Sequence, residues 1–343
     1  MRTIVYTSIL MLIASCLSYG QGEYLHLHPN CNGLRSSFTK VNVIDNRLGT
    51  QTLGFVQVGA FNKNVPVKFQ GNIGDSLAQF FKCTDTTAKT QQELTMILYQ
   101  LYLSEKTEAM SETGSVRIAM RLFSNIDQEK FKELYAIDSI YTFNAMDVTK
   151  RLLRSVSEHL CEIAKSAIEA KSVEFKTAPL YSLTELHQLD SLEKLKIPIY
   201  NAESINPGIY TDYEHFKSNT PDSSVISIDT DDAKNIKVYK WDKEKKKKRK
   251  IDCKSVYAVS DGSTLLKATS IGFYKMKKIN FDFYYVGQTS FTNTNSNNVA
   301  MWGLAFGMVG AAIASGYEQN APLFRFKINY LIGNSIPISI APE

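Results

Sequence analysis

Cys16 is the first residue of this chain whose neighbours point to chemistry. Ile13-Ala14-Ser15-Cys16 fits the lipobox pattern, in which the cysteine sulfur is acylated and the cysteine becomes the first mature residue. A second processing point competes with it. Ser18-Tyr19-Gly20 puts small residues where a leader peptidase reads them, ahead of a cut before Gln21. Both readings share one leader, in which Arg2 supplies a positive charge and Ile4 to Leu17 is almost wholly apolar. The apolar part is shorter than the roughly 20 residues that span a bilayer. Residues 1–20 therefore predict a cleaved signal peptide and an exported protein, periplasmic or outer-membrane associated. Cys31, Cys83, Cys161 and Cys253 survive either cut. An oxidising compartment permits disulfides among them, and their scattered spacing offers neither a zinc ribbon nor a C-x-x-C redox motif. Bridges and buried free thiols both remain open.

A second candidate acts through charge alone. The chain carries a formal net charge of +5, and Lys243-Glu244-Lys245-Lys246-Lys247-Lys248-Arg249-Lys250 more than accounts for it. Outside that run the protein is near neutral. This argues against a nucleic-acid partner, whose binding face spreads its basic residues and interleaves them with aromatics. Lys245, Lys246, Lys247, Lys248, Arg249 and Lys250 then read as a solvated hairpin tip between two strands, or as a contact with anionic lipid headgroups.

The third candidate is a stripe of small residues. No charge occurs between Asp282 and Glu318, and Ala300, Gly303, Gly307, Gly310 and Ala314 recur at steps of three and four. Such a stripe lets helices approach closely, in lipid or in a homo-oligomer. Trp302 and Tyr317 sit near the ends of the segment 299–317, where interfacial aromatics would lie. As a helix the segment would be about 28 Å long, only just a span. Burial within a soluble domain is the other reading.

Side chains for catalysis are not gathered by any known signature. There is no Gly-x-Ser-x-Gly, no His-Glu-x-x-His, no phosphate-binding glycine loop and no calcium loop. His26 and His28 lie beside Cys31 without a second ligand pair, so no metal or cofactor is expected. Asp229, Asp231 and Asp232 read as a turn, and His159 as a solvated residue. Should the protein be a hydrolase of an unrecognised kind, Asp45, Glu105 and Asp261 are the carboxylates from which its acid and base would come.

The elements that must position these residues read as α+β, in two domains after a mobile lead-in at 21–37. In the first (38–175), Val41 to Asp45, Leu53 to Val58 and Val65 to Phe69 are extended, with Pro66 marking an edge strand. Asp75 can cap a short helix that puts Leu77, Phe80 and Phe81 on one face. Leu94 to Leu103 is apolar on both faces and predicts a central strand. Ser115 to Phe123 alternates with Arg117 and Arg121 and predicts a half-exposed partner, leaving Ser104 to Gly114 as the loop. From an N-cap at Asp147, Val148, Leu152, Val156, Leu160, Ile163 and Ala167 follow helical spacing. That long helix should close an antiparallel or mixed sheet. Residues 176–204, with a leucine every third position from Leu183 to Leu195, read as a frayed helix or linker. The remainder, 205–343, reads as a β-rich domain with an aromatic core that includes the apolar glycine-rich segment. Asp261-Gly262 between β-formers marks a hairpin inside it.

Two resemblances bear on these domains. "VNVIDNRLGTQTLGFVQVG", a short helix, "QELTMILYQLYLSEK", "GSVRIAMRLF" and a long helix resemble the envelope lipoproteins typified by auxiliary subunits of lipid-transport ABC systems. The likeness covers roughly 38–170, with Asp45-Asn46-Arg47 leading to Gly54. It implies a small α/β module that binds partner proteins or lipid and performs no catalysis. Pro207-Gly208-Ile209-Tyr210 through Pro221, then Asp261-Gly262 and aromatic strands, resembles exported proteins of Bacteroidota type. That second resemblance carries no activity with it. The expectation is a non-catalytic envelope accessory protein with membrane lipid or envelope proteins as partners, and the alternative is the exported hydrolase.

Overall fold

The computed structural model describes residues 22–28, 31, 38–47, 52–58, 63–82, 92–107, 111–127, 129–146, 148–170, 179–222, 225–230, 236–242, 244–288 and 323–341. The architecture is α+β and predominantly β. Two compact units meet in sequence between Leu180 and Tyr181.

The first unit holds β1 (Glu23–Leu25), β2 (Phe38–Asp45), β3 (Gly54–Val58), β4 (Lys63–Phe69), α1 (Ile73–Phe81), β5 (Gln92–Thr107), β6 (Glu112–Asn125), β7 (Phe131–Ala145) and α2 (Thr149–Ala170). Its sheet runs β1-β4-β3-β5-β6-β7, and β2 also pairs with β5. β5 can serve two strands along one edge because it is 16 residues long. Its first half takes β2 in parallel, with Val41 opposite Leu94 and Asp45 opposite Leu98. Its second half takes β3, with Gly54 opposite Leu103. Gly54 sits at φ 132°, and a side chain there would run into the Leu103 carbonyl, so this close parallel approach needs glycine.

Burial follows the alternation of β5 and β6. Leu94, Met96 and Leu98 enter the core, and so do Leu101 and Leu103. The switch from even to odd numbers is accommodated by a register shift between Leu98 and Gln100. Val116, Ile118, Met120 and Leu122 of β6 join the same cluster, and α2 lays Leu152, Val156, Leu160 and Ile163 into it. Thr95 and Ile97 on the opposite side of β5 are buried as well, as a central strand requires. The β6 strand was expected to be half exposed, yet nine of its 14 residues are buried and the rest half-buried. The reason is β7, which covers its far edge and neutralises its two arginines. Arg117 makes paired hydrogen bonds to Asp138 at 2.9 and 3.0 Å, and Arg121 to Glu133 at 2.9 and 2.8 Å.

Several local expectations change. The loop after β5 is shorter than Ser104 to Gly114, because pairing continues to Thr107 opposite Glu112. Asn72, not Asp75, caps α1 by accepting from the N–H groups of Gly74 and Asp75. Pro66 is not on an edge strand, since β4 lies between β1 and β3; β1 begins its pairing at Val67, one residue past the missing N–H. The lead-in expected to be mobile is pinned. β1 pairs in parallel with β4, Leu25 is fully buried, and Cys31 is disulfide-bonded to Cys161 on α2. Asp147 lies outside the described residues. At the N-terminus of α2, acceptors come from two strands: Glu112 takes the Val148 N–H at 3.0 Å and Glu105 the Thr149 hydroxyl at 2.7 Å.

A two-residue strand, β8 (Leu180–Tyr181), stands at the boundary. The second unit continues with α3 (Leu183–His187), α4 (Leu189–Leu195), α5 (Pro198–Asn201), β9 (Gly208–Tyr210), α6 (Tyr213–Lys217), β10 (Ile226–Thr230), β11 (Ile236–Asp242), β12 (Lys247–Lys250), β13 (Ala258–Ser260), β14 (Leu265–Ala268), β15 (Phe273–Ile279), β16 (Asp282–Gly287), β17 (Phe324–Ile328) and β18 (Ser335–Ile340). A seven-stranded antiparallel sheet runs β18-β17-β16-β15-β14-β13-β9, and β10-β11-β12 form a separate three-stranded sheet. The Asp261-Gly262 hairpin forms as expected, with Ser260 opposite Leu265 and Gly262 at φ 93°. Tyr200, Tyr210, Phe216, Tyr257 and Phe283 stack edge to face or tilted in the core, ring centroids 5.1–5.4 Å apart.

Residues 182–201 are no linker. They fold as α3, α4 and α5 and bury Leu186, Leu189, Ile199 and Tyr200. Ser182 and Glu185 cap each other's backbone at the start of α3, and Pro198 opens α5. A leucine every third residue cannot keep one stripe along a continuous helix, and the chain resolves this by breaking into short ones. The apolar segment 299–317 lies outside the described residues. Among the described residues, no helix is long and apolar enough to cross a membrane.

Candidate functional site

The basic run occupies a turn and a strand. β11 rises from the core, turns over Glu244 to Lys246 and returns as β12. Asp242 shapes the turn, its carboxylate accepting the N–H groups of Glu244 and Lys245 at 3.1 and 3.0 Å. The N–H of Lys245 is the largest influence on that carboxyl, and with the charges of Lys245 and Arg249 it holds Asp242 below the usual carboxylate range. Lys246 closes the turn at φ 45°. Lys245 through Lys250 are all exposed; Lys245 and Lys246 lie in the turn, and Lys247 to Lys250 run along β12 and not at a tip.

Register decides what shares a face with these cations. Trp241 is opposite Lys248 and Tyr239 opposite Lys250 across β11 and β12. On the other side, Ser227 of β10 is opposite Tyr239, and the Trp241 N–H donates to the Val225 carbonyl. Directly opposed residues project to one face of an antiparallel pair. The outer face therefore carries Val225, Trp241 and Lys248 in one row, and Ser227, Tyr239 and Lys250 in the next. A hydrogen bond from Lys248 Nζ to Ser227 Oγ at 3.1 Å confirms that these side chains meet. The inner face carries Val238, Ile226, Ile228 and Ile236, which pack with Ile251, Val259, Leu266 and Phe273. One face anchors the sheet, and the other presents an exposed tryptophan among lysines.

No known protein family, curated protein or solved structure matches this chain.

The remaining sequence candidates scatter. Cys16, Gly303, Gly307, Gly310 and Ala314 lie outside the described residues. Asp45 forms a two-point ion pair with Arg47, at 2.8 Å for each contact. Burial pushes the Asp45 carboxyl up, but the Arg47 hydrogen bonds and charge outweigh it and leave it lowered. Glu105 serves the start of α2. Asp261 accepts the N–H groups of Ser263 and Thr264 at 2.9 and 2.6 Å and is spent on its own turn. Asp45 and Glu105 belong to one unit and Asp261 to the other. Cys31 is a disulfide partner of Cys161 and offers no thiolate beside His26 and His28. Among the described residues, no three His, Cys, Asp or Glu side chains converge as metal ligands. His159 is not simply solvated: its ring stacks on Tyr141 at 3.6 Å and its Nδ1 meets Glu162 at 3.2 Å.

Two buried lysines went unread in the sequence, since the groups that close around each come largely from other elements. Lys194 of α4 reaches Asp282 at 2.8 Å, and Lys327 of β17 meets the other carboxylate oxygen at 2.9 Å. Burial raises the Asp282 carboxyl, and the hydrogen bonds and charges of the two lysines more than reverse it. Lys267 of β14 has no such carboxylate among the described residues. Its Nζ donates to the carbonyls of Tyr257 and Ala268 at 3.0 and 2.8 Å, with the Tyr257 ring centroid 3.8 Å away. Burial pushes its ammonium down to about 8. Each cluster has its polar groups satisfied inside the fold, which marks both as structural.

Proposed function

We propose that this protein is an exported, non-catalytic accessory protein of the cell envelope that binds protein or lipid partners. The exposed basic hairpin carries the reading: six consecutive cations stand on the turn and outer strand of a sheet whose inner face is anchored in a core, and they form a surface suited to a partner. The disulfide between Cys31 and Cys161 supports the exported compartment, since such bonds persist where thiols are oxidised. The hydrolase alternative draws no support from Asp45, Glu105 or Asp261: Asp45 and Asp261 are engaged in their own turns and Glu105 accepts from Thr149 at the start of α2.

Fractionation with metabolic palmitate labelling tests the proposal, run on the wild type and Cys16→Ala together. The expected result is envelope or periplasmic recovery with Cys31 and Cys161 resistant to alkylation. Label lost in Cys16→Ala would assign acylation, and label absent from both would leave the cut before Gln21. Cytoplasmic recovery with both thiols open to alkylation would refute export.

A further inference from the structure

We propose that the outer face of the β10-β11-β12 sheet is a docking surface for an anionic lipid bilayer, with Trp241 entering the headgroup boundary and the hairpin cations meeting the phosphates. The inference rests on the accessory reading and narrows its partner to lipid.

Three observations combine. The first is charge: Lys245 to Lys250 are all exposed, and two of them, Lys248 and Lys250, share the outer face with aromatic rings. The second is apolar exposure at the same spot. Trp241 is 45% exposed and Val225, in the same row, is 69% exposed. A large ring and a branched aliphatic side by side in water are costly unless something covers them. A tryptophan suits the water–lipid boundary because its ring is apolar and its N–H polar. The third is rigidity. The inner face buries Val238 completely and packs Ile226, Ile228 and Ile251 beside it, so the outer face is held without an ordering cost at contact.

A single-stranded nucleic acid would also meet cations and stacking rings. Two features favour lipid. Val225 offers an aliphatic surface that inserts but does not stack on bases. The leader and the disulfide both fit an oxidising exterior bounded by membrane. Basic clusters bind anionic headgroups with a strength that adds per residue and fades with salt.

The test uses the full mature chain and vesicles of equal parts phosphatidylglycerol and phosphatidylcholine, with pure phosphatidylcholine vesicles as control. The protein has two tryptophans, so Trp302→Phe leaves Trp241 as the sole reporter. Expected are binding to the anionic vesicles alone, loss at high salt, a blue shift of Trp241 emission and its quenching by brominated lipid. Lys245, Lys246, Lys247 and Lys248 replaced together by Gln should weaken binding by about tenfold or more. Trp241→Ser should weaken it several-fold, and the near-ultraviolet circular dichroism of the tyrosine-rich core should persist in both variants. Binding that survives the four glutamines, or an unshifted Trp241 emission on bound vesicles, would overturn the proposal. Tighter binding to a single-stranded oligonucleotide than to the vesicles would overturn it in favour of nucleic acid. Failure here leaves the fractionation result, and with it the accessory reading, standing.

Discussion

Stability of this protein should rise between pH 8 and 10 because of Lys267. Its amine is almost wholly buried and hydrogen-bonds two carbonyls, and among the described residues no carboxylate is bonded to it. Burial lowers its pKa from 10.5 to about 8. Below that range both folded and unfolded chains carry the proton, and the folded state bears the full penalty of burying the charge. Between about 8 and 10.5 the unfolded amine keeps its proton while the folded one has lost it. The unfolded state then binds more protons, so unfolding free energy climbs by about 1.4 kcal/mol per pH unit. Across the window the gain totals about 3 kcal/mol. Lys278, lowered by partial burial, adds in the same direction. The upper limit is set by buried tyrosines such as Tyr200, Tyr210 and Tyr257, whose hydroxyls burial pushes above their usual range. Above about pH 10 the unfolded chain ionises its tyrosines while the folded one does not, and stability falls again. Urea unfolding of the oxidised wild type and of Lys267→Met, from about pH 7 to 10, measures the slope. Lys267→Met should flatten most of it, whatever its effect on absolute stability. A flat wild-type curve, or the same slope in both proteins, would refute the argument.

Two further outcomes follow from the described contacts. Cys161→Ser opens a loop with a sequence separation of 130 and should cost about 2–5 kcal/mol, with a reductant destabilising the wild type similarly and the variant hardly at all. Asp282→Leu strands the buried Lys194 ammonium and should cost about 3–5 kcal/mol by thermal unfolding, and pairing it with Lys194→Met should restore much of the loss.

What the sequence discloses here is periodicity, and what it hides is partnership. The long helix was legible because Leu152, Val156, Leu160 and Ile163 repeat at a spacing that only a helix turns into a face. The Asp261-Gly262 hairpin was legible because its turn chemistry is local. β7 was absent from the expectations although Phe131 to Ala145 alternates, since its apolar positions are interrupted by Lys132, Glu133 and Asp138. Two of those charges are the answers to Arg117 and Arg121, which made β6 look half exposed. An arginine pattern cannot say whether water or a neighbouring carboxylate will meet it. The candidate site shows the same limit. The lysine run was plain, but Trp241 joins it only through the antiparallel register that sets it opposite Lys248. In sequence the basic run looked free of aromatics, because strand pairing is what interleaves them.

Were Cys16 acylated, the position of β1 would set how far this protein could stand from a membrane. Among the described residues, paired structure begins at Glu23, seven residues after Cys16. Fully extended, that stretch reaches about 25 Å at most. Many anchored proteins hang on long, loose tethers; an acyl chain on Cys16 would leave this one on a short leash. The first unit would then sweep only a thin layer above the bilayer and be confined in the directions it could face. A cut before Gln21 would instead leave two residues ahead of the sheet and no leash at all. Were either processing point used, the five residues between Cys16 and Gln21 would separate a tethered molecule from one that reaches a bilayer only through its own surface.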